Sequence, residues 1–243
     1  MNILAIDSST EVLSLALQAA KNITSINLCH KSSPHLHGDL ILSEIENLLK
    51  KNNLSMIDLD LLVYGRGPGS FTGVRMASAV IQGLSCAIDA PIVGISSLET
   101  MAYQVIKTNH NKNCNHIIST IDARMKQVYW AEYIVENNTI KIVGSERVDN
   151  PDKIIPQIKA TDNSFIIGNA LNDYAKILQQ QLKIKPQNCY KNILPDVIYM
   201  LPIAEKLFKN NKTIPSHLAI PSYVRNNVAC KKKSKNHKIN KNF

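Results

Sequence analysis

Three polar turns hold the residue types from which chemistry could be expected in this sequence. The first is the run Asp7-Ser8-Ser9-Thr10, which follows a short apolar segment. A carboxylate at the end of a strand, followed by hydroxyl groups and backbone amides, can hold a metal ion together with a phosphate. An aspartate that caps its own turn has the same sequence pattern. Nucleotide loops usually add a glycine or a lysine, and this run has neither, so the turn cap is the favoured interpretation.

The second turn is the glycine-rich run that separates an apolar strand from a helical segment. Gly67, Gly69 and Gly73 permit backbone conformations that other residues avoid, and the amino end of the next helix offers free amides to an anion. No Gly-Lys-Ser or Gly-Lys-Thr closes the run, so it is not a Walker-type phosphate loop. A tight structural turn explains it equally well. Asp7 and these three glycines are therefore candidates for cofactor contact, and no cofactor is assigned to them.

The third turn, Asp122-Ala123-Arg124, lies between two strand-like segments. Its favoured interpretation is a local salt bridge that ties a hairpin.

The histidines and cysteines do not form a recognisable catalytic or metal-binding motif. None of the seven histidines belongs to a His-Glu-x-x-His or His-x-x-x-His pair, which would place two metal ligands on one helix face. No Gly-x-Ser-x-Gly elbow indicates a serine hydrolase. The five cysteines are odd in number and include no Cys-x-x-Cys pair, which argues against a disulfide scaffold and for a reducing compartment. We predict no metal site, no catalytic residue and a cytoplasmic protein.

Length and composition indicate a globular chain of one large or two small domains. It has 243 residues, of which 44% are hydrophobic and 19% charged, so a sizeable core can form. Its longest apolar runs are too short to span a bilayer, and the first, residues 3–6, is too short for a signal peptide. We therefore expect no membrane partner.

The net charge of +9 is concentrated at the carboxyl end. Six lysines and no acidic residue lie between Lys231 and Phe243, which leaves +3 for the rest of the chain. Such a tail is either a solvated, disordered end or an electrostatic arm for an RNA backbone. No aromatic side chains are interleaved with these lysines, so the disordered end is the favoured interpretation.

Hydrophobic periodicity predicts a mixed α/β chain with a repeated order of elements. Three antiparallel strands followed by alternating helices and strands are typical of a ribonuclease-H-like half, and the order occurs twice. The polar stretch 108–115 is the best boundary. We predict domains at 1–108 and 109–230, the last helix of the second packing back on the first, and a basic disordered tail at 231–243. The predicted strands are 2–6, 12–18, 23–28, 60–65, 92–95, 116–122, 126–135, 140–148 and 165–168, and the predicted helices are 37–50, 73–87, 97–107, 170–182 and 195–209.

The helix after the glycine-rich turn carries small residues at every fourth position. Ala79, Gly83 and Ala87 share one face, and the adjoining faces carry larger apolar residues, namely Met76, Val80 and Leu84. Small residues at this period let another helix approach closely, which offsets the cost of a glycine within a helix, about 1 kcal/mol relative to alanine. The approaching helix could belong to the same domain or to a partner chain.

Five segments together resemble the bacterial TsaB (YeaZ) family of tRNA threonylcarbamoyladenosine biosynthesis proteins. The run at residues 64–75 is specific to that family, whereas each of the others alone would be a weak signal. Together they extend over nearly the whole chain before the lysine tail. The segments are YGRGPGSFTGVR at 64–75, ILAIDSST at 3–10, GISSLETMA at 94–102, IDARMKQVYWAEY at 121–133 and PSYVRNNVA at 221–229.

The resemblance implies a fold, a role and partners. The fold is the two-lobed actin-like fold of the acetate kinase, hexokinase and heat-shock protein superfamily, with duplicated ribonuclease-H-like halves and an abbreviated second half. Family members form homodimers alone and heterodimers with TsaD, to which the ATPase TsaE also binds. The assembly transfers a threonylcarbamoyl group to N6 of adenosine 37 in tRNAs that read codons beginning with A. TsaD is the catalytic subunit, and TsaB is its scaffold.

By this resemblance the chain is a non-catalytic subunit, and ATP and metal belong to the partner complex. It meets tRNA indirectly, with the lysine tail as one route. The family's dimer surface uses the helices that match 37–50 and 73–87, so the implied interface residues are Ile41, Ile45, Met76, Ala79, Val80, Gly83, Leu84 and Ala87. Two alternatives remain: an autonomous ATP-binding phosphotransferase or ATPase of the same fold, and a metallopeptidase, which the absence of paired histidines disfavours.

Overall fold

The computed structural model describes residues 1–20, 22–29, 36–108 and 114–225, without the side chains of 27–29 and 36–39. The predicted lysine tail at 231–243, the end of the predicted second domain at 226–230 and most of the predicted boundary stretch lie outside the described residues. Within them the chain forms two five-stranded sheets of the same topology.

The first sheet has the order β3-β2-β1-β4-β5. Strands β1 to β3 are antiparallel, and β4 and β5 run parallel to β1. The central strand β1 is buried along its whole length, which explains its continuous apolar sequence. The strands are β1 (Ile3–Asp7), β2 (Val12–Ala19), β3 (Asn22–Cys29), β4 (Leu61–Gly67) and β5 (Ile92–Ser96).

The second sheet repeats this arrangement in the order β10-β9-β6-β7-β8. Its fifth strand has only two residues, and a single 3₁₀ turn at Pro151–Lys153 stands where the first half has a long helix. The predicted fold class, with two related halves and an abbreviated second one, is thus confirmed. The strands are β6 (His116–Asp122), β7 (Val128–Glu136), β8 (Thr139–Asp149), β9 (Ser164–Ile167) and β10 (Cys189–Tyr190), the last of which was not predicted.

Three helices cover the outer faces of the sheets. Helices α1 (Leu36–Lys51) and α2 (Phe71–Ile88) pack on the first sheet, where leucine and isoleucine side chains of both helices and of β1 and β2 form one core. Helix α4 (Leu171–Leu182) packs on the second sheet in the same way. By length and composition α2 alone among the described helices could cross a membrane, but much of one face is buried in this core.

Two further helices lie between the sheets and are exchanged between the halves. Helix α3 (Ser97–Lys107) follows the last strand of the first sheet, yet its apolar residues pack on Ile117, Ala131 and other residues of the second sheet. Helix α5 (Met200–Lys209) follows the last strand of the second sheet, and it packs on Ala5, Val63 and other residues of the first. Each half therefore covers the inner face of the other.

Two helix boundaries differ from the sequence-based expectation. Helix α2 begins at Phe71, because the Ser70 hydroxyl accepts the Gly73 N–H and caps the helix before that glycine. The last helix begins at Met200 and not at 195, and a 3₁₀ turn at Val197–Tyr199 precedes it. Pro202 consequently lies in the first helical turn, where its missing N–H has no intrahelical acceptor to lose.

Candidate functional site

A cleft of about 470 Å³ lies between the two halves. The turns after β1 and β6, which occupy equivalent positions in the two sheets, form opposite sides of it. The glycine-rich turn and the last described residues of the chain complete its wall. The lining residues are Ser9, Thr10, Glu11, Pro68, Gly69, Ser70, Phe71, Val74, Ile121, Asp122, Ala123, Arg124, Met125, Tyr129, Asn169, Ser222, Tyr223, Val224 and Arg225.

The glycine-rich turn packs directly on the turn after β1. The Ser70 N–H donates to the Ser9 carbonyl at 2.7 Å, and the Ser8 hydroxyl donates to the Gly73 carbonyl at 2.7 Å. A Cβ atom at Gly69 or Gly73 would collide with the backbone of Ser9 or Ser8. The close approach of the two backbones therefore requires glycine at two of the three predicted positions. The polar groups of the two turns consequently face each other more than they face the cleft.

Gly67, the third predicted glycine, has a positive φ of 89°. This conformation suits glycine, because most other residues are strained in it. Its role is to turn the chain out of β4 toward the helix.

Asp7 points inward and its carboxylate is fully engaged. One oxygen accepts the Ser9 N–H at 2.7 Å and the Ser9 hydroxyl at 2.6 Å, and the other accepts the Ser97 hydroxyl at 2.8 Å. The side chain is buried, and burial raises the pKa of the carboxyl above its ordinary value, against the lowering effect of these hydrogen bonds. This is the turn cap that the sequence favoured, extended by a contact to the first turn of α3.

The turn after β6 is held by its own ion pair, as predicted. Asp122 accepts the Arg124 N–H at 2.9 Å, and its carboxylate lies 3.2 Å from the Arg124 guanidinium. Arg124, Met125 and Lys126 all have positive φ, a conformation that costs non-glycine residues roughly 1 kcal/mol each. The turn thereby displays three long side chains in succession, all of them exposed.

The carboxylates at and beside the cleft already have partners within the chain. Asp7 is buried beneath the cleft and accepts three hydrogen bonds from Ser9 and Ser97. Asp122 pairs with Arg124, and Glu11 accepts from the Asn169 amide. A metal-bound phosphate needs a carboxylate that is free to take part in its coordination, directly or through water. Among the described residues no three histidine, cysteine or acidic side chains gather in a way that could hold a metal ion.

The final described segment closes one side of the cleft, a role that sequence reasoning missed. The Ser222 N–H donates to the Arg66 carbonyl at 2.8 Å, and the Tyr64 hydroxyl donates to the Ile220 carbonyl at 3.0 Å. Further on, the Arg225 guanidinium donates to the Ala123 carbonyl at 3.0 Å. The segment thus bridges the two halves. Its only sequence signal was the family-like motif at 221–229.

Exposed aromatic side chains stand at the entrance of the cleft. The guanidinium carbon of Arg75 lies 3.3 Å from the centre of the Phe71 ring and 5.2 Å from that of Tyr223. Both rings remain more than half exposed, at 61% and 55%. Sequence analysis did not bring these residues together, because some 150 positions separate them.

The implied interface residues divide into exposed and buried groups. Ala79, Gly83 and Ala87 are exposed, and a Cβ atom at Gly83 would meet nothing within 4 Å, so none of the described helices packs there. Met76 and Val80 are half-buried beside them. The remaining three belong to the core under α1 and α2, so that part of the prediction is corrected: Ile41 (1% exposed), Ile45 (2%) and Leu84 (6%).

A buried polar chain in the second half has the residue types of a hydrolase triad. The two ring nitrogens of His116 lie 2.9 Å from the Ser164 hydroxyl and 2.9 Å from the Glu132 carboxylate. Ser164 also accepts the Thr161 N–H, and Glu132 accepts the N–H groups of Gln157 and Ile158. All three side chains are buried, and Ser164 and Glu132 accept backbone N–H groups, so this polar network anchors the loop before β9 and offers no accessible nucleophile.

The two repeated sheets with exchanged helices and a cleft between them define an actin-like α/β protein. A family model described as TsaD, tRNA N6-adenosine threonylcarbamoyltransferase, matches residues 31–233. The chain is 35% identical to the tRNA threonylcarbamoyladenosine biosynthesis protein TsaB of Escherichia coli K12, with 96% of this chain and 98% of that protein covered. The TsaB of Haemophilus influenzae is 32% identical, with coverage of 96% and 97%.

Solved structures give the same relationship. YeaZ from Pseudomonas aeruginosa superposes with a TM-score of 0.80 at 28% identity, covering 91% of this chain and 99% of that one. The chain belongs to the TsaB (YeaZ) family of tRNA threonylcarbamoyladenosine biosynthesis proteins. The family resemblance seen in the sequence is confirmed.

Proposed function

We propose that this chain is a non-catalytic scaffold subunit for threonylcarbamoyl transfer to N6 of adenosine 37 in tRNAs that read codons beginning with A. In this role it forms a heterodimer with a TsaD protein, works with a TsaE protein and forms a homodimer when alone. ATP and the metal ion belong to the partner complex, and the setting is the cytoplasm. Family membership is the basis for the proposed reaction, and the geometry of the cleft supports assigning catalysis to the partner subunit.

The observation that carries the proposal is that the space between the turn after β1 and the glycine-rich turn is already filled. Backbone atoms of Ser8 and Ser9 occupy the space against Gly69 and Gly73, and the Asp7 carboxylate is turned away from the cleft. A catalytic subunit would need the Asp7 carboxylate and the polar backbone groups of these turns to bind its substrate. A scaffold can use them to fix the fold instead.

The exposed face of α2 supports the proposed pairing. Ala79, Gly83 and Ala87 form a smooth strip on a helix whose opposite side is anchored in the core. The axes of packed helices lie about 8–10 Å apart, and small residues at the contact permit the shorter distances in this range. A strip of this kind suits a helix from another chain, either a second copy or the TsaD partner.

Light scattering of the chain alone and then mixed with TsaD from the same source tests the proposal. A change from homodimer to one-to-one heterodimer is expected. Absence of association at micromolar concentrations would contradict it. In that case nucleotide titration of the isolated chain with magnesium would test the remaining candidate, an autonomous ATPase of this fold, for which the size of the cleft is the favourable observation.

A further inference from the structure

We propose that a single-stranded segment of RNA binds at the entrance of the cleft. This surface, here called the cleft mouth, consists of three residues that line the cleft, Phe71, Arg124 and Tyr223, and two beside them. These are Arg75, which contacts both rings, and Lys126, which is exposed two residues after Arg124. The inference deepens the proposed role in tRNA modification, and rests on it for its meaning in the cell, because it assigns to this chain a direct contact with the substrate RNA.

The aromatic rings of the cleft mouth suit nucleobases. Phe71 and Tyr223 both line the cleft, and more than half of each side chain is accessible. Arg75 lies against both rings, so a cation and two π faces are presented together. Proteins that bind single strands combine stacking platforms with arginine in this way, and any base can stack on them.

The charges around the cleft mouth suit a phosphate backbone. Arg124 and Lys126 extend from the strained turn after β6, and the Arg124 side chain is 88% exposed even though it pairs with Asp122. The other acidic residue lining the cleft, Glu11, accepts a hydrogen bond from the Asn169 amide at 3.2 Å. Arg124 offsets the charge of Asp122, and the charge of Glu11 remains, so Arg75 and Lys126 give the cleft mouth its net positive charge.

The sequence carries further positive charge shortly after the last described residue. The described structure ends at Arg225, which lines the cleft and contacts the turn after β6. The six lysines between Lys231 and Phe243 begin only six residues later, a distance that an extended chain covers in about 20 Å. The first lysine of the tail is therefore tethered within about 20 Å of Arg225, and the described residues of the cleft mouth provide the aromatic rings that the tail sequence lacks.

This combination favours RNA over the other anionic partners that a basic tail alone could serve. A membrane surface would be attracted by the lysines but has no planar groups for the two rings. A single strand offers both phosphates and bases, whereas the bases of a duplex are stacked inside it and cannot reach the rings.

Fluorescence anisotropy with the full chain tests the proposal. The probes are a labelled single-stranded oligouridylate of about 12 nucleotides and a labelled RNA duplex of the same length. Phe71→Leu with Tyr223→Leu keeps apolar bulk and removes both stacking faces. The matched control is Ile155→Leu, since Ile155 is 70% exposed and lies outside the cleft lining. We expect the double variant to bind the single strand about 5- to 100-fold more weakly and the control to be unchanged.

A second pair of variants separates charge from stacking. Arg124→Gln with Lys126→Gln is compared with Lys153→Gln with Lys159→Gln, which removes the same charge from exposed positions outside the cleft. We expect the first pair alone to lower the slope of log affinity against log salt, by about 1.4 if both side chains contact phosphates.

Three outcomes would overturn the inference. They are equal losses in the cleft-mouth and control variants, equal affinity for the single strand and the duplex, and binding to phosphatidylserine vesicles without binding to the single strand. Association with TsaD is measured separately on the wild type and on the same variants, so a wild-type chain that forms the heterodimer but does not bind the single strand would reject this inference and leave the proposed function standing.

Discussion

Arg66 and Glu146 join the two halves of the molecule through a two-pronged ion pair. The two terminal nitrogens of the guanidinium lie 3.0 and 2.9 Å from the two carboxylate oxygens. Arg66 belongs to β4 of the first sheet and Glu146 to β8 of the second, and only 8% of the Glu146 side chain is exposed. The carbonyl of Arg66 also accepts the Ser222 N–H, so the same residue fixes the segment that closes the cleft.

Replacing Glu146 with glutamine is expected to lower the free energy of unfolding by about 1.5–3 kcal/mol, because the amide nitrogen cannot accept one of the two hydrogen bonds and the remaining oxygen no longer carries a charge. Urea unfolding measures the change. The control is Glu46→Gln on α1, which disrupts an exposed pair with Lys50 and should change stability by less than about 1 kcal/mol. Equal effects of the two substitutions would mean that the ion pair between the halves contributes no more to stability than an exposed surface pair does.

Gly83→Leu is expected to block pairing with another chain and to leave the fold intact. The side chain would extend from an exposed position that has no neighbour within 4 Å, so the isolated chain has room for it. Light scattering should show a monomer and no heterodimer, while the thermal midpoint stays the same or rises. Gly83→Ala is the control: it should retain pairing and gain about 1 kcal/mol from helix propensity. Normal pairing of the leucine variant would move the interface elsewhere.

Asp7→Asn is expected to destabilise the protein while tRNA modification per folded molecule changes little. The substitution weakens charged hydrogen bonds from Ser9 and Ser97 in a buried site. Because the pKa of Asp7 is raised in the folded chain, the wild type loses stability relative to the asparagine variant as pH rises through that pKa, so the destabilisation should be larger near pH 4 than at neutral pH. A loss of modification beyond about tenfold, or 1.4 kcal/mol, at unchanged stability would instead indicate a working nucleotide site.

As pH is lowered, the wild type should lose stability relative to a His116→Gln variant. Burial lowers the pKa of His116 below its ordinary value of 6.5, despite the neighbouring Glu132 carboxylate. The unfolded chain therefore takes up a proton before the folded chain does. The stability that the neutral histidine contributes is present above pH 6.5 and is lost as pH falls from there toward the lowered pKa, by at most about 1.4 kcal/mol per pH unit. Urea unfolding of both proteins between neutral and mildly acidic pH measures the difference, and a constant difference would contradict the prediction.

Removal of residues 231–243 is expected to leave association with TsaD unchanged, because the truncation leaves the exposed residues Ala79, Gly83 and Ala87 of α2 intact. The same truncation should weaken binding of the single-stranded probe and make its salt dependence shallower, since six positive charges are lost. Sizing of the mixture and anisotropy titrations at several salt concentrations check the two halves of this prediction. A truncated chain that no longer joins its partner would place the tail in the protein interface.

The sheets could be predicted because their central strands are unambiguous in the sequence. β1, β4 and β6 are short apolar runs that end at polar or glycine-rich turns, and their order along the chain defines the repeated topology. The exchange of α3 and α5 could not be predicted. An apolar helix face shows that a helix is buried, but it does not identify the sheet that buries it.

The site could be predicted only in part, for a similar reason. Gly69 and Gly73 were recognised as turn residues, but their need for a bare backbone comes from Ser8 and Ser9, some 60 positions earlier. Ile41 and Ile45 have the spacing of a buried face, which is the same for a core and for an interface. The closing segment at 219–225 has no periodicity at all, because several of its contacts use backbone atoms.

Because the inner helices α3 and α5 are exchanged, each half of the molecule needs the other to cover its apolar surface. A fragment that ended at the boundary near residue 108 would carry α3 without the sheet that covers Leu98 and Met101, and would leave its own sheet without α5. Neither half could therefore be produced, inherited or lost as an independent module. Whatever duplication gave rise to the repeated topology, its two products now share one folding unit, and they should melt in a single cooperative transition.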